Sequence, residues 1–221
     1  VQMFEWEKVS GKGIWRDAVF SDMFAWEGRY LETEVDVYER KDQKGFYRLN
    51  NVYSAEYFTR LVEGDDAGND PALVASYSSY IDPKAYIYLN ATDPNKVWFP
   101  AQKTGFTDPS MGDLMIASDV TEVFGSASNL LYGTLKDGIV TFPKNGILLG
   151  MGGYYYFTNS SGKFRFVLPG YEAADYGISL KSEETNANGE VPVTFDLAKD
   201  VAKVKYALFE GSISEIEMDG K

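Results

Sequence analysis

Apolar and polar positions alternate most cleanly between Tyr30 and Tyr53. Leu31, Thr33, Val35 and Val37 interleave with Glu32, Glu34 and Asp36. A period of two places the first set on one face of a β-strand and the carboxylates on the other. The run breaks at residues 41–45, and an aromatic-rich extended pattern resumes from Phe46 to Leu49. This predicts a β-hairpin with one buried face, in which Gly45 supplies the positive φ of a bulged loop. Val35, Val37 and Leu49 are expected in the core, with Glu32, Glu34 and Asp36 in solvent.

The rest of the chain repeats this grammar. Phe4, Trp6 and Val9 suggest a first short strand ended by the glycines at 11 and 13. Trp15, Val19, Met23 and Trp26 recur at helical spacing around Asp17, which predicts a short helix capped by that aspartate. Residues 55–62 offer a further turn or two of helix, with Phe58, Leu61 and Val62 on one side. Strands are expected at residues 73–80, 85–89, 96–102, 113–118, 139–142, 147–149 and 154–158, with 103–110 as a loop. The turn signal Asn159-Ser160-Ser161-Gly162 predicts a second hairpin, leading into 163–168, where Phe164, Phe166 and Leu168 alternate with Lys163, Arg165 and Val167. Two more strands are expected at 191–197 and 201–209. Short strands every 8–12 residues or so, separated by turn signals, predict an all-β fold: an antiparallel β-sandwich or barrel-like meander with one or two short helices. The polar stretch at 182–189 suggests a boundary. The expected organisation is a main β domain over 1–185, with strands in 190–221 completing it or opening a second, incomplete one.

Composition narrows the chemistry. A chain of 221 residues buries enough surface to fold without a metal or disulfide staple. Its 16 Tyr and 14 Phe suit half-exposed sheet faces. The formal charge of −12 serves solubility; with no Lys/Arg cluster visible, nucleic acid and anionic membranes are not expected partners. There is no Cys and no His, which excludes disulfides, thiolate chemistry, Cys/His zinc sites and Ser-His-Asp triads. No cofactor is expected. No run reaches the ~18 apolar residues of a membrane helix. Because Val1 opens directly into folded-looking sequence, any signal or anchor segment is expected to lie outside this chain.

Motifs that resemble catalytic signatures do not hold together. Ser160-Ser161-Gly162-Lys163 matches S-x-x-K and Lys103-Thr104-Gly105 matches K-T-G, but their order is reversed and no S-D-N lies between them. The acidic loop at 63–71 lacks the spacing of an EF-hand, so a solvated loop without metal is expected. Two carboxylates at the right separation could cleave a glycosidic bond, and aromatics such as Trp26, Trp98 and Tyr154-Tyr155-Tyr156 could stack on sugars. Trp98 and Phe99 must face opposite sides of one strand, and Pro100 ends its ladder near a rim. Trp98, Phe106 and Asp108 are therefore the candidate ligand-binding residues.

Gly45-Phe46-Tyr47-Arg48-Leu49-Asn50-Asn51-Val52-Tyr53 resembles the G-x-Y-R-L-x-N-x-Y segment of multi-domain surface lipoproteins of gut Bacteroidetes, most of them of unknown function. The lead-in from Trp6 to Phe24, the segment 138–143, the FRFVLPG segment at 164–170 and the stretch 193–211 also resemble parts of that pattern. The chain departs from it before Tyr53, where a proline would be expected. The resemblance covers most of residues 6–210 and carries no active-site residues. It implies a β protein lipid-anchored at the outer membrane. The expected function is a non-enzymatic cell-envelope protein, a module that binds a glycan or adheres to a surface protein; a carboxylate-based glycan hydrolase and a structural spacer are the alternatives.

Overall fold

The computed structural model describes residues 4–24, 30–62, 79–126, 128–173, 178–182, 186, 188–189, 193–198 and 200–204. The chain divides into two units, Val1–Glu172 and Ala173–Lys221. In the first, the strands are β1 (Trp6–Lys8), β2 (Gly13–Arg16), β3 (Glu32–Arg40), β4 (Gln43–Asn50), β5 (Tyr86–Asn90), β6 (Gln102–Asp108), β7 (Gly112–Ala117), β8 (Thr134–Lys136), β9 (Ile139–Thr141), β10 (Ile147–Met151), β11 (Tyr154–Thr158) and β12 (Arg165–Val167). Three short helices accompany them among the described residues: α1 (Phe20–Met23), α2 (Ala55–Val62) and α3 (Thr121–Phe124).

The organising hairpin is β3–β4. Val35, Val37 and Leu49 are buried, while Glu32 and Glu34 are exposed and the half-buried Asp36 meets Lys8 and Lys12, each at 2.9 Å. The turn itself is only Lys41–Asp42. Gly45 lies within β4 at φ 82°, where a Cβ would come within 2.6 Å of the Ala91 carbonyl oxygen. Glycine is needed there by close backbone approach as well as by its conformation.

All pairings are antiparallel. The larger sheet runs β5-β4-β3-β2-β12-β9-β8, with β1 beside β3, and it curls into a half-barrel. Its two ends are tied by Val97 and Trp98. Trp98 exchanges both backbone hydrogen bonds with Asn90 (2.9 and 3.0 Å), and Val97 does the same with Gly133 (2.9 and 2.8 Å). The smaller sheet is β11-β10-β7-β6.

Aromatic rings fill the core. Trp15 meets Phe164 edge-on at 4.7 Å, and Phe99 stacks on Phe142 at 5.1 Å. A second cluster joins Phe20, Tyr53, Phe58 and Phe106. Asp17, fully buried, organises this region. It accepts hydrogen bonds from the backbone of Val19, Phe20 and Ser21 (3.1–3.2 Å) and from the Tyr53 and Tyr57 hydroxyls (both 2.8 Å).

Several sequence expectations need correction. Trp15 lies on β2, and helix begins only at Phe20. Its helical spacing with Val19 and Met23 spans a strand-to-helix junction at Asp17; Trp15 reaches the core because Ile14 and Arg16 alternate away from it. Residues 103–110 are mostly strand, because Gly105 at φ 93° absorbs a register shift between β6 and β7. The segment 96–102 contributes the two bridging residues and, at its end, Gln102, the first residue of β6. The expected second hairpin is absent: β11 pairs with β10, whereas β12 pairs with β2 and β9. Asn159, buried at φ 56°, redirects the chain between sheets. Its amide donates to the carbonyls of Phe142 and Pro143 (3.3 and 3.1 Å), and its side-chain oxygen accepts from the Phe164 N–H at 3.0 Å.

The second unit contains the antiparallel pair β13 (Ile178–Ser182) and β14 (Val193–Leu197). Residues 201–204 form no strand. The expectations for Trp26, the acidic loop at 63–71, residues 73–78 of one strand and residues 205–209 of another lie outside the described residues, as does most of the polar stretch at 182–189.

Candidate functional site

An open groove of about 520 Å3 lies where β5 meets β6 and β7. Strict alternation builds one wall: Ile87 and Leu89 enter the core, which turns Tyr86 and Tyr88 outward. On β6, Thr104 and Phe106 are buried, which turns Lys103, Gly105 and Thr107 into the groove. The turn 82–85 forms its end. Asp82 donates its N–H to the Gly105 carbonyl (2.8 Å), and its side chain accepts the Lys84 N–H (2.9 Å). A side chain at Gly105 would collide with Ala85, so the groove depends on this glycine.

Gln102 joins the two walls in place of a backbone ladder. Its amide oxygen accepts from the Tyr88 N–H and its amide nitrogen donates to the Tyr88 carbonyl, both at 2.7 Å. Across the groove, Asp113 pairs with Lys103 at 2.6 Å and accepts the Thr107 hydroxyl at 2.6 Å. The Lys103 ammonium, then that hydroxyl, hold the Asp113 carboxyl below its usual range. Burial, then a hydrogen bond with Tyr86, pushes the Tyr88 phenol up to about 12, so it stays neutral at ordinary pH. The site therefore offers one half-exposed ring (Tyr86, 43% exposed), a neutral phenol and a set of paired charges. These groups can stack and hydrogen-bond. Asp113, engaged by two donors, is poorly placed as a proton donor. Among the described residues, no group of three or more Asp or Glu could hold a metal ion.

The groove continues into an aromatic and arginine array on the face of the larger sheet opposite the core. Tyr86 and Tyr88 lie 4.9 Å apart, and Trp6 stacks on Tyr88 at 5.4 Å. The Arg48 guanidinium sits 4.5 Å from the Tyr38 ring centre, 5.2 Å from Trp6 and 5.6 Å from Tyr86. Arg40 covers Phe4 at 3.8 Å and is held by Asp42.

None of the residues singled out from sequence is among those lining the groove. Trp98 is half-buried, with its backbone committed to Asn90, while Phe99 takes the core side. Phe106 is only 4% exposed and stacks on Phe58 at 4.6 Å, which makes it a core residue. Asp108 caps its own turn, accepting from the Ser110 N–H (2.8 Å), the Ser110 hydroxyl (2.7 Å) and the Met111 N–H (2.9 Å). Phe106 and Asp108 flank Thr107, which does line the groove; Trp98 is not among the lining residues. The sequence signal for this groove is the Tyr-Ile-Tyr-Leu alternation of β5, which turns Tyr86 and Tyr88 outward. A second exposed aromatic strip occupies β11, where Tyr154, Tyr155, Tyr156 and Phe157 are all exposed and Phe124 meets Tyr155 at 5.2 Å.

Compared with protein-family models, curated proteins and solved structures, the chain matches none.

Proposed function

We propose that the first unit is a glycan-binding module of a bacterial cell envelope and does not act as an enzyme. The groove is the observation that carries this reading. Sugars present apolar C–H faces that stack on rings and hydroxyls that require donors and acceptors at the ring's edge. Tyr86 supplies the ring; Asp82, Lys84, Lys103 and Thr107 supply the polar edge. The volume falls within the roughly 300–1,000 Å3 of small-molecule sites. The envelope location rests on the sequence resemblance to surface lipoproteins. The engagement of Asp113 by Lys103 and Thr107 favours binding over hydrolysis.

A glycan-array screen of the purified chain, followed by calorimetry on the hits, tests the proposal. Tyr86→Ala is expected to weaken binding by about 1–3 kcal/mol, the range for loss of a stacking ring. Trp98→Ala is the comparison: binding lost there and kept in Tyr86→Ala would move the site to the Trp98 rim. Failure of every glycan to bind would overturn the reading. Release of shortened sugars from a bound glycan would favour the hydrolase instead. Adhesion to a surface protein is a second reading, favoured by the uncharged aromatic edge of β11. It predicts protein capture that Tyr156→Lys abolishes and Tyr86→Ala leaves intact.

A further inference from the structure

We infer that the glycan taken by this groove is acidic, bearing carboxylate or sulfate groups that Arg48 and Lys84 recognise; the inference rests on the glycan-binding reading above. The starting point is the pairing of charges around the site. Carboxylates outnumber cations in the whole chain, 33 to 21. On the outward face of the larger sheet several of the acids are already engaged. Asp36 holds Lys8 and Lys12, Glu39 holds Lys44, and Asp42 holds Arg40. In the groove, Asp113 holds Lys103. Arg16 and Arg165 share Glu32.

Arg48 makes no ion pair among the described residues. Its Nε is buried without a hydrogen-bond partner, and its guanidinium is surrounded by Tyr38, Trp6 and Tyr86. Ring faces satisfy its charge only in part and leave the Nε–H without an acceptor. An anionic group lying against Tyr86 would meet that fork, and guanidinium geometry suits carboxylate and sulfate oxygens. Lys84, exposed at the end of the groove, likewise makes no ion pair among the described residues. A sugar ring stacked on Tyr86 thus lies near Arg48, 5.6 Å from that ring's centre, and shares the groove with Lys84. Of the two carboxylates that line the groove, Asp113 is paired with Lys103 and Asp82 accepts the Lys84 N–H, while charges beyond a Debye length of about 8 Å are screened at physiological salt.

The test is calorimetry on the full chain with paired probes. Uronate and sulfated oligosaccharides are compared with the same oligosaccharides after carboxyl reduction or desulfation. The acidic form is expected to bind at least about tenfold more tightly, with an affinity that falls as salt rises. Arg48→Gln and Lys84→Gln should each erase most of that preference, weakening the acidic form well beyond any loss of affinity for its neutral counterpart. Lys84→Gln, at an exposed position, serves as the readout if Arg48→Gln loses the fold. Equal affinity for acidic and neutral forms, or a preference that survives both substitutions, would overturn the inference and leave the glycan reading standing. Absence of binding to either form of every probe would overturn both.

Discussion

Replacing Asp17 with alanine should be among the most damaging single changes to the first unit. Its side chain is fully buried and receives the Tyr53 and Tyr57 hydroxyls and the three N–H groups that open α1. Alanine leaves these donors without an acceptor in a site closed to water. Each buried donor left unmatched costs about 1–3 kcal/mol, but the effects are not additive, since the helix start can relax outward. Breaking a buried charged network by removing one member typically costs about 3–5 kcal/mol, and that is the expected loss. With a urea m-value of about 1–3 kcal/mol/M, the midpoint should fall by roughly 1–5 M. Tyr53→Phe and Tyr57→Phe each remove one donor and leave the acceptor otherwise satisfied, so each should cost only about 1 kcal/mol. Urea unfolding followed by near-UV circular dichroism reads all three variants. An Asp17→Ala protein within 0.5 kcal/mol or so of the parent, on the scale of ordinary surface changes, would refute the reasoning.

Val35→Asp places a charge without a partner in the core of the main hairpin and should cost several kcal/mol; unchanged thermal stability would reverse the assignment of faces. Alkali should unfold the protein through its buried phenols. Burial, then the charge of Asp17, holds Tyr53 and Tyr57 well above 10.0, and burial, then Glu39, holds Tyr47 at about 12. A raised folded-state pKa contributes stability that is complete below about pH 10 and is lost as pH climbs through the folded values. Urea midpoints should therefore drop above about pH 10, and a flat profile there would count against it. Asn159→Ala strips three hydrogen bonds and places a Cβ-branched-free but still left-handed-averse residue at φ 56°, so a loss of about 2–4 kcal/mol is expected from the same unfolding assay.

The β3–β4 hairpin was legible because one of its faces is wet: the water boundary imprints a period of two on Leu31 to Val37. The same signal fails where both faces are covered. Phe164, Phe166 and Leu168 alternate as expected, yet Val167 is buried as well, and nothing in that run names β2 and β9 as its neighbours. Asp17 could be read as a helix cap from local spacing alone, whereas its tyrosine partners come from far along the chain. The groove was hidden for a related reason. Tyr86 and Tyr88 become a site only when Gln102 fixes β6 beside them, and that contact is a matter of tertiary packing. Alternation separates Trp98 from Phe99, but pattern alone does not distinguish a ring facing a ligand from one flanking a closure.

The central position of β12 bears on how the molecule is made. It lies between β2, near the start of the first unit, and β9, and it is the last strand of that unit to leave the ribosome. Until it arrives, β2 and β9 each lack a neighbour, and the tie at Val97 and Trp98 has only one half of a sheet to hold. Such non-local closure places the protein among slow folders, in the range of milliseconds to seconds. During that interval the waiting edges are open to pairing with other chains. A chain halted before Arg165 would carry both open edges permanently, so synthesis of the last few residues of the unit converts an aggregation-prone intermediate into a closed sheet.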